Sequence, residues 1–173
     1  MVLQNTIEII EKQIGRSPRG LEEVVVETAT GIPLVLRIRS LVDDQPFPTL
    51  YWLCSKDLHQ AIARLETEGW VGRLEQQLQD DKAMMADYQQ NHREYVARRW
   101  QLIRDEDKAR IEALGFTDLF HKYGIGGIVK WDKVRCLHMH YAHYLAAGAD
   151  TIPNVIGQFL EGSFKLSELD CQI

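Results

Sequence analysis

The apolar residues of this chain change their spacing partway along, and that change limits the folds that it can adopt. Within residues 32–42 apolar side chains alternate with polar ones, as in a strand with one wetter face. Residues 23–28 are rich in valine, and residues 49–54 form an apolar run that we predict to be a third, central strand. From Ser55 onward, apolar residues recur at intervals typical of helices. This order predicts an α+β fold, in which a small, mostly antiparallel sheet at about residues 23–54 is covered by several helices.

Proline, glycine and charged residues predict where the remaining elements begin and end. Residues 43–48 contain two aspartates and two prolines, which predicts a loop. A long helical stretch at about residues 73–103 has a thin apolar stripe. We predict either one helix across the sheet or a break near Asp80 and Asp81. Another helix is predicted at residues 131–147.

Composition is that of an ordinary globular protein, and we interpret residues 1–173 as one domain with a loosely held tail at about 163–173. A net charge of −5 makes nucleic-acid binding an unfavoured interpretation. No apolar run approaches the ~20 residues of a membrane span. The N-terminal residues lack the apolar segment of a signal peptide, so we expect a cytoplasmic protein with no membrane association. Three cysteines, an odd number, argue against a disulfide framework there.

Residues 135–143 hold one of the three cysteines and three of the six histidines, which points to metal chemistry. On a regular helix, Cys136, His140 and His143 fall within ~60° of one another. If the helix begins later, Cys136, His138 and His143 are an equally good trio. Cys54 can complete a four-coordinate shell in either case, and sulfur with imidazole suits zinc. The alternative is that these histidines are core residues, each with one hydrogen bond.

The same residues allow a second hypothesis, a metal-free enzyme that uses a thiol and a histidine. Cys54 follows a strand and precedes a helix, and backbone N–H groups at a helix start favour a thiolate. Cys136 or Cys54 beside a histidine forms the pair that such an enzyme needs. An anionic small-molecule substrate would be held by arginines of the early loop or by a glycine turn. The candidate anion-binding residues are Arg16, Arg19, Gly124, Gly126 and Gly127.

A third hypothesis is an adaptor that docks a protein partner on the long charged helix. The second half of that stretch is basic and includes Arg98 and Arg99. Such a run of charge is more often a solvated face. The hypothesis predicts that changing these two arginines removes a partner and leaves the fold intact.

Several fragments of the chain resemble one bacterial family. They are the segment from Phe47 to Cys54, the segment Tyr95-Val96-Ala97-Arg98-Arg99, the segment Arg135-Cys136-Leu137-His138, continuing to Ala142-His143, and Asn154-Val155-Ile156-Gly157. Together they resemble the domain-of-unknown-function family 501 (DUF501), in a cyanobacterial form. The resemblance covers roughly residues 16–157 and implies no established activity.

The resemblance does suggest a ligand set. Family members pair a cysteine at the Cys54 position with Cys-Leu-His and a later histidine. That implies Cys54, Cys136, His138 and His143, with His138 preferred over His140. Many members also begin with Arg-Cys-Pro-x-Gly, where this chain has Ser17 in place of the cysteine. One thiolate fewer weakens an iron–sulfur interpretation. We therefore expect a structural or regulatory zinc site.

Overall fold

The computed structural model describes residues 1–173 and has an α+β architecture, as the sequence predicted. Three strands, β1 (Leu21–Glu27), β2 (Pro33–Ile38) and β5 (Tyr51–Leu53), form an antiparallel sheet in the order β1-β2-β5. Two further strands, β3 (Leu41–Val42) and β4 (Gln45–Pro46), form a short separate hairpin.

The strand β5 lies at an edge of the sheet, so the prediction of a central third strand was wrong. Its only strand partner is β2, with Leu53 opposite Val35. The helix α7 (Leu137–Ala146) packs against β5, and this burial accounts for the apolar run. A strand covered by a helix and a strand flanked by two others have the same apolar pattern.

The turn of the β3–β4 hairpin and its second strand lie within residues 43–48, which we predicted to be a loop. Its turn is formed by Asp43 and Asp44, both with positive φ, at 50° and 60°. Two central residues with positive φ are typical of the tight turns that join antiparallel strands. Aspartate adopts this conformation more readily than most residues, so the aspartates make the turn while the short strands pair around them.

The structure has eight α-helices, and none has the length and apolar character that a membrane-spanning helix requires. Besides α7 they are α1 (Gln4–Ile14), α2 (Lys56–Thr67), α3 (Trp70–Asp80), α4 (Lys82–Leu102), α5 (Asp105–Ala113), α6 (Thr117–Lys122) and α8 (Val155–Phe164). The long stretch breaks at Asp81, as the second of the two alternatives had it. The backbone of Asp81 is extended, and the Asp81 carboxylate accepts a hydrogen bond from the Met84 N–H at 2.9 Å, which caps α4.

Arg99 lies inside the molecule, although we had assigned it to a basic surface of the long helix. It is fully buried, and its guanidinium donates to the carbonyl oxygens of Pro48, Phe120 and Tyr123. These bonds offset much of the cost of burying a charged group, although the Arg99 Nε has no partner. Of the two arginines in the adaptor hypothesis, only Arg98 is exposed.

The hydrophobic core brings the sheet together with α2, α3, α4, α7 and α8, and α7 is buried on most sides. The tail returns to this core. Leu166 and Cys171 are buried, the Ser55 hydroxyl contacts the Cys171 sulfur at 3.4 Å, and the Gln172 N–H donates to the Asp57 carboxylate at 2.7 Å.

Candidate metal centre

The helix α7 begins at Leu137, and Cys136 precedes it as the N-cap residue. The backbone of Cys136 is extended, with φ −108° and ψ 110°. Of the two alternatives left open by the sequence, the later helix start is therefore the observed one. Cys136 does not share a helical face with His140 and His143, and its thiol is free to approach residues outside the helix.

Three donor side chains converge where the end of α2 meets the start of α7. The donor atoms of Glu66, Cys136 and His138 all lie within 4.8 Å of one another. His138 Nδ1 is 3.2 Å from Glu66 Oε1 and 3.7 Å from Cys136 Sγ. Glu66 Oε1 also accepts the Leu137 N–H at 2.8 Å, which ties this carboxylate to the first turn of α7.

The orientation of the His138 ring is fixed by its other nitrogen. Nε2 lies 3.0 Å from the His59 carbonyl oxygen, and a carbonyl only accepts, so Nε2 carries a proton. In the neutral ring Nδ1 then presents a lone pair toward the Glu66 carboxylate and the Cys136 sulfur. A proton on Nδ1, a thiol proton donated by Cys136, or a metal ion bound by all three groups would each satisfy these atoms.

The pKa of His138 reflects two opposing effects of its surroundings. Burial acts to lower it, but hydrogen bonds to Cys136 and to the His59 carbonyl, with the charges of Cys136 and Glu66, raise it above its ordinary value. The neighbouring His59 ring lies 4.1 Å from the His138 ring, between centroids. Burial and the charge of His138 lower the pKa of His59, although Glu66 opposes this.

Cys54 lies in a different part of the core and does not join this group. It is 1% exposed and packs with Ile10, Leu36 and Ile38, and its thiol donates to the Pro33 carbonyl oxygen at 3.3 Å. Burial raises the pKa of this thiol to about 12. The helix start that favours a thiolate at this position is outweighed by the loss of water. Cys54 is therefore not next to Cys136 as we expected. The residue from a distant part of the chain that lies beside Cys136 is Glu66.

His140 and His143 belong to a separate buried network around Asn154. The Asn154 Oδ1 accepts the Gly157 N–H at 2.8 Å, so its Nδ2 must be the group that donates to His143 Nδ1 at 3.1 Å and to His140 Nδ1 at 3.4 Å. Both rings therefore carry their proton on Nε2. His140 Nε2 lies 3.3 Å from the Tyr88 hydroxyl. Burial lowers the pKa of His143 to about 4 and that of His140 well below its ordinary value.

The glycine segment forms a turn between this network and the donor group. The N–H groups of Gly124 and Gly127 donate to carbonyl oxygens of the turn itself, at 2.8 and 3.1 Å. A Cβ on Gly124 would overlap the His92 ring, so only glycine allows the Ile125 N–H to donate to His92 Nδ1 at 3.0 Å. Gly126 packs beside Cys136. The turn packs against its neighbours, and most of its N–H groups donate to carbonyl oxygens within the turn.

The two loop arginines of the predicted anion site have different surroundings. Arg19 makes an ion pair with Asp43 at 2.8 Å, which neutralises it. Arg16 stacks over the Trp52 ring, 4.7 Å from its centroid. The arginines and the glycine turn thus contact different parts of the molecule.

Comparison with known proteins identifies the family. A family model described as "Protein of unknown function (DUF501)" matches residues 24–161 of the 173. The chain belongs to this family. No curated protein and no solved structure gives a significant match.

In this DUF501 protein the quoted motifs surround α7. The Tyr95 hydroxyl accepts the Leu50 N–H at 2.6 Å, which joins the segments 95–99 and 47–54. Asn154 caps α8, and Gly157 lies so close to Tyr144 that a Cβ there would overlap its side chain. The motifs thus hold together the frame in which Cys136 and His138 meet Glu66.

Proposed function

We propose that this protein binds zinc through Cys136 Sγ, His138 Nδ1 and the Glu66 carboxylate, in a cytoplasmic setting. The observation that carries the proposal is the convergence of three donor atoms of zinc-binding types within 4.8 Å of one another. Thiolate, imidazole and carboxylate are all zinc ligands. The ion would join the end of α2 to the start of α7, a structural or regulatory role.

The donor spacing fits this ion. With ordinary zinc bond lengths and tetrahedral angles, a sulfur and a nitrogen ligand lie about 3.6 Å apart, and a nitrogen and an oxygen ligand about 3.4 Å. The corresponding separations are 3.7 Å and 3.2 Å. The third pair, Cys136 Sγ and Glu66, lies within 4.8 Å.

The surroundings of His138 also support a ligand role. Metal-bound imidazoles commonly donate their second N–H to a backbone carbonyl, which fixes the tautomer and the ring. His138 has this arrangement with the His59 carbonyl. Three protein ligands leave a fourth position, and the thiol of Cys136 is partly exposed, so an ion can reach the group from solvent.

Zinc content tests the proposal. Protein purified without a histidine tag should contain close to one equivalent of zinc, and Cys136→Ser and His138→Gln should lose it. Cys54→Ser is the matched control, since it alters a buried thiol outside the group and should keep the zinc. Less than about a tenth of an equivalent in the unaltered protein would reject the proposal.

A second candidate function is a metal-free thiol/histidine enzyme acting on an anionic small molecule. The observation that favours it is the 3.7 Å separation between the partly exposed Cys136 sulfur and His138 Nδ1, close enough for the two groups to share a proton. Zinc would inhibit such an enzyme, because the ion would occupy both the thiol and the imidazole. Reactivity of Cys136 that depends on His138 and is blocked by zinc is its test.

A further inference from the structure

An open pocket of about 420 Å³ lies where α4, β5 and the end of α7 meet, away from the proposed zinc ligands. Its aromatic walls are Tyr51, Tyr95 and the His143 ring, and its charged lining residues are Glu94, Arg98 and Asp150. The His143 ring lies 6.3 Å from Tyr51 and 5.5 Å from Tyr95, between centroids. The pocket thus combines an aromatic surface with both signs of charge.

His143 supplies this pocket with a fixed hydrogen-bond donor. Its Nδ1 accepts from Asn154, whose own orientation is set by the Gly157 N–H, so the proton of the neutral ring is on Nε2. No group of the protein accepts from this Nε2, and His143 lines the pocket. A ligand with an acceptor oxygen would complete the hydrogen bonding of His143.

Glu94 supplies a carboxylate that lacks a partner. Its Oε2 is buried and receives no hydrogen bond. Arg98 lies one turn further along α4, where an ion pair with Glu94 is expected, but it donates to Gln101 at 3.3 Å. A buried acceptor without a donor is uncommon in native proteins and calls for a partner, such as a water, an ion or a ligand group.

We propose that this pocket binds a small primary amine that carries an acceptor oxygen, such as an amino alcohol or an amino acid. The ammonium group would lie near Glu94 and Asp150 against the tyrosine rings, which attract cations. The oxygen would accept from His143 Nε2, and a carboxylate oxygen would also find Arg98. The proposal is independent of zinc binding, since it uses none of the three zinc ligands.

Ethanolamine is the probe that tests this site on the full-length protein. Its isostere 1-propanol lacks the ammonium group, and n-propylamine lacks the oxygen. Ligand-efficiency limits for about four heavy atoms allow a Kd no tighter than about 40 μM, so histidine side-chain NMR and calorimetry should be run with ethanolamine up to tens of millimolar. We expect the His143 resonances to shift with ethanolamine, to shift less with n-propylamine and not to shift with 1-propanol. Glycine in place of ethanolamine distinguishes an amino acid from an amino alcohol, because only its carboxylate would use Arg98.

Glu94→Gln should weaken ethanolamine binding at least about tenfold while the melting temperature stays the same or rises, since the negative charge of a partly buried carboxylate without a partner is removed. Asp87→Asn makes the same change at an exposed position of α4 and should leave binding unaltered. Undisturbed His143 resonances with ethanolamine and with glycine, or equal binding by Glu94→Gln, would overturn the proposal. The NMR arm on the unaltered protein needs no variant to fold.

Discussion

The thiols of Cys54 and Cys136 differ in exposure, partner and charge environment. Cys54 is 1% exposed and donates to a carbonyl oxygen, and burial raises its pKa to about 12. Cys136 is partly exposed at a helix start and lies beside His138. A thiol reacts or binds metal as the thiolate, which burial disfavours and a helix start favours. Under both proposals Cys136 is therefore the thiol that binds metal or reacts, whereas Cys54 is packed as a small core residue.

Alkylation rates test this difference at the level of single residues. In protein stripped of metal, iodoacetamide should modify Cys136 faster than Cys54 by at least about a hundredfold, because Cys54 is both buried and protonated. Zinc should protect Cys136. Mass spectrometry of peptides after timed quenching gives each rate, and the buried Cys171 serves as the internal control for unfolding.

Either of two results would count against this account of the thiols. One is similar rates at Cys54 and Cys136 in folded protein, and the other is a rate at Cys136 that zinc leaves unaltered. The variant His138→Gln tests the thiol/histidine enzyme, which requires a lower rate at Cys136 at neutral pH in this variant. An unchanged rate would remove that candidate function.

The helices α4 and α7 bury three histidines that stay neutral in the folded protein. Burial lowers the pKa of His92 to about 3 and of His143 to about 4, and that of His140 also falls. In the unfolded chain each histidine has an ordinary pKa of about 6.5. Below that pH the unfolded state takes up protons that the folded state does not, so the folded state loses stability as pH falls.

We therefore expect the free energy of unfolding to fall as pH drops from about 6.5 to about 5, with up to about 1.4 kcal/mol per pH unit from each of the three histidines. His138 opposes this trend, because its raised pKa stabilises the fold below about pH 6.5 and that gain is lost as pH rises through the folded value. Urea unfolding of metal-free protein across this range measures the slope.

Two variants separate the contribution of the buried histidines to this pH dependence from that of the other residues. His143→Gln should reduce the slope by about one proton. The exposed His121 is the control, and His121→Gln should leave the slope unchanged. Stability that is constant or increases on acidification would show that these rings are charged or solvated in the folded protein.

At the scale of the whole molecule, the α+β fold follows from local patterns that are visible in the sequence. Period-two alternation at residues 32–42 led to β2, and helical spacing after Ser55 led to α2. Asp80 and Asp81 marked a break because aspartate caps helices well. Each of these features depends on neighbours in the chain, so one sequence was sufficient to predict the α+β fold.

The donor group depends on how distant elements pack, and there the sequence was a poorer guide. Cys136 and His138 stand together in the chain and drew attention, whereas Glu66 is one of many charged residues near the end of a helix. Only the packing of α2 against α7 brings it to them. We favoured Cys54 because it is one of few cysteines and stands at the end of a strand. In the structure it is buried in a separate cluster of core residues.

The central claim is that one sulfur and two lighter atoms, from two helices far apart in sequence, hold one zinc ion. X-ray absorption at the zinc edge of the loaded protein measures this directly. The account predicts a single sulfur at ~2.3 Å, nitrogen or oxygen neighbours at ~2.0–2.2 Å, and loss of the sulfur shell in Cys136→Ser. A shell of two sulfurs, which would require Cys54 or Cys171 to reach the ion, or no sulfur at all, would contradict it.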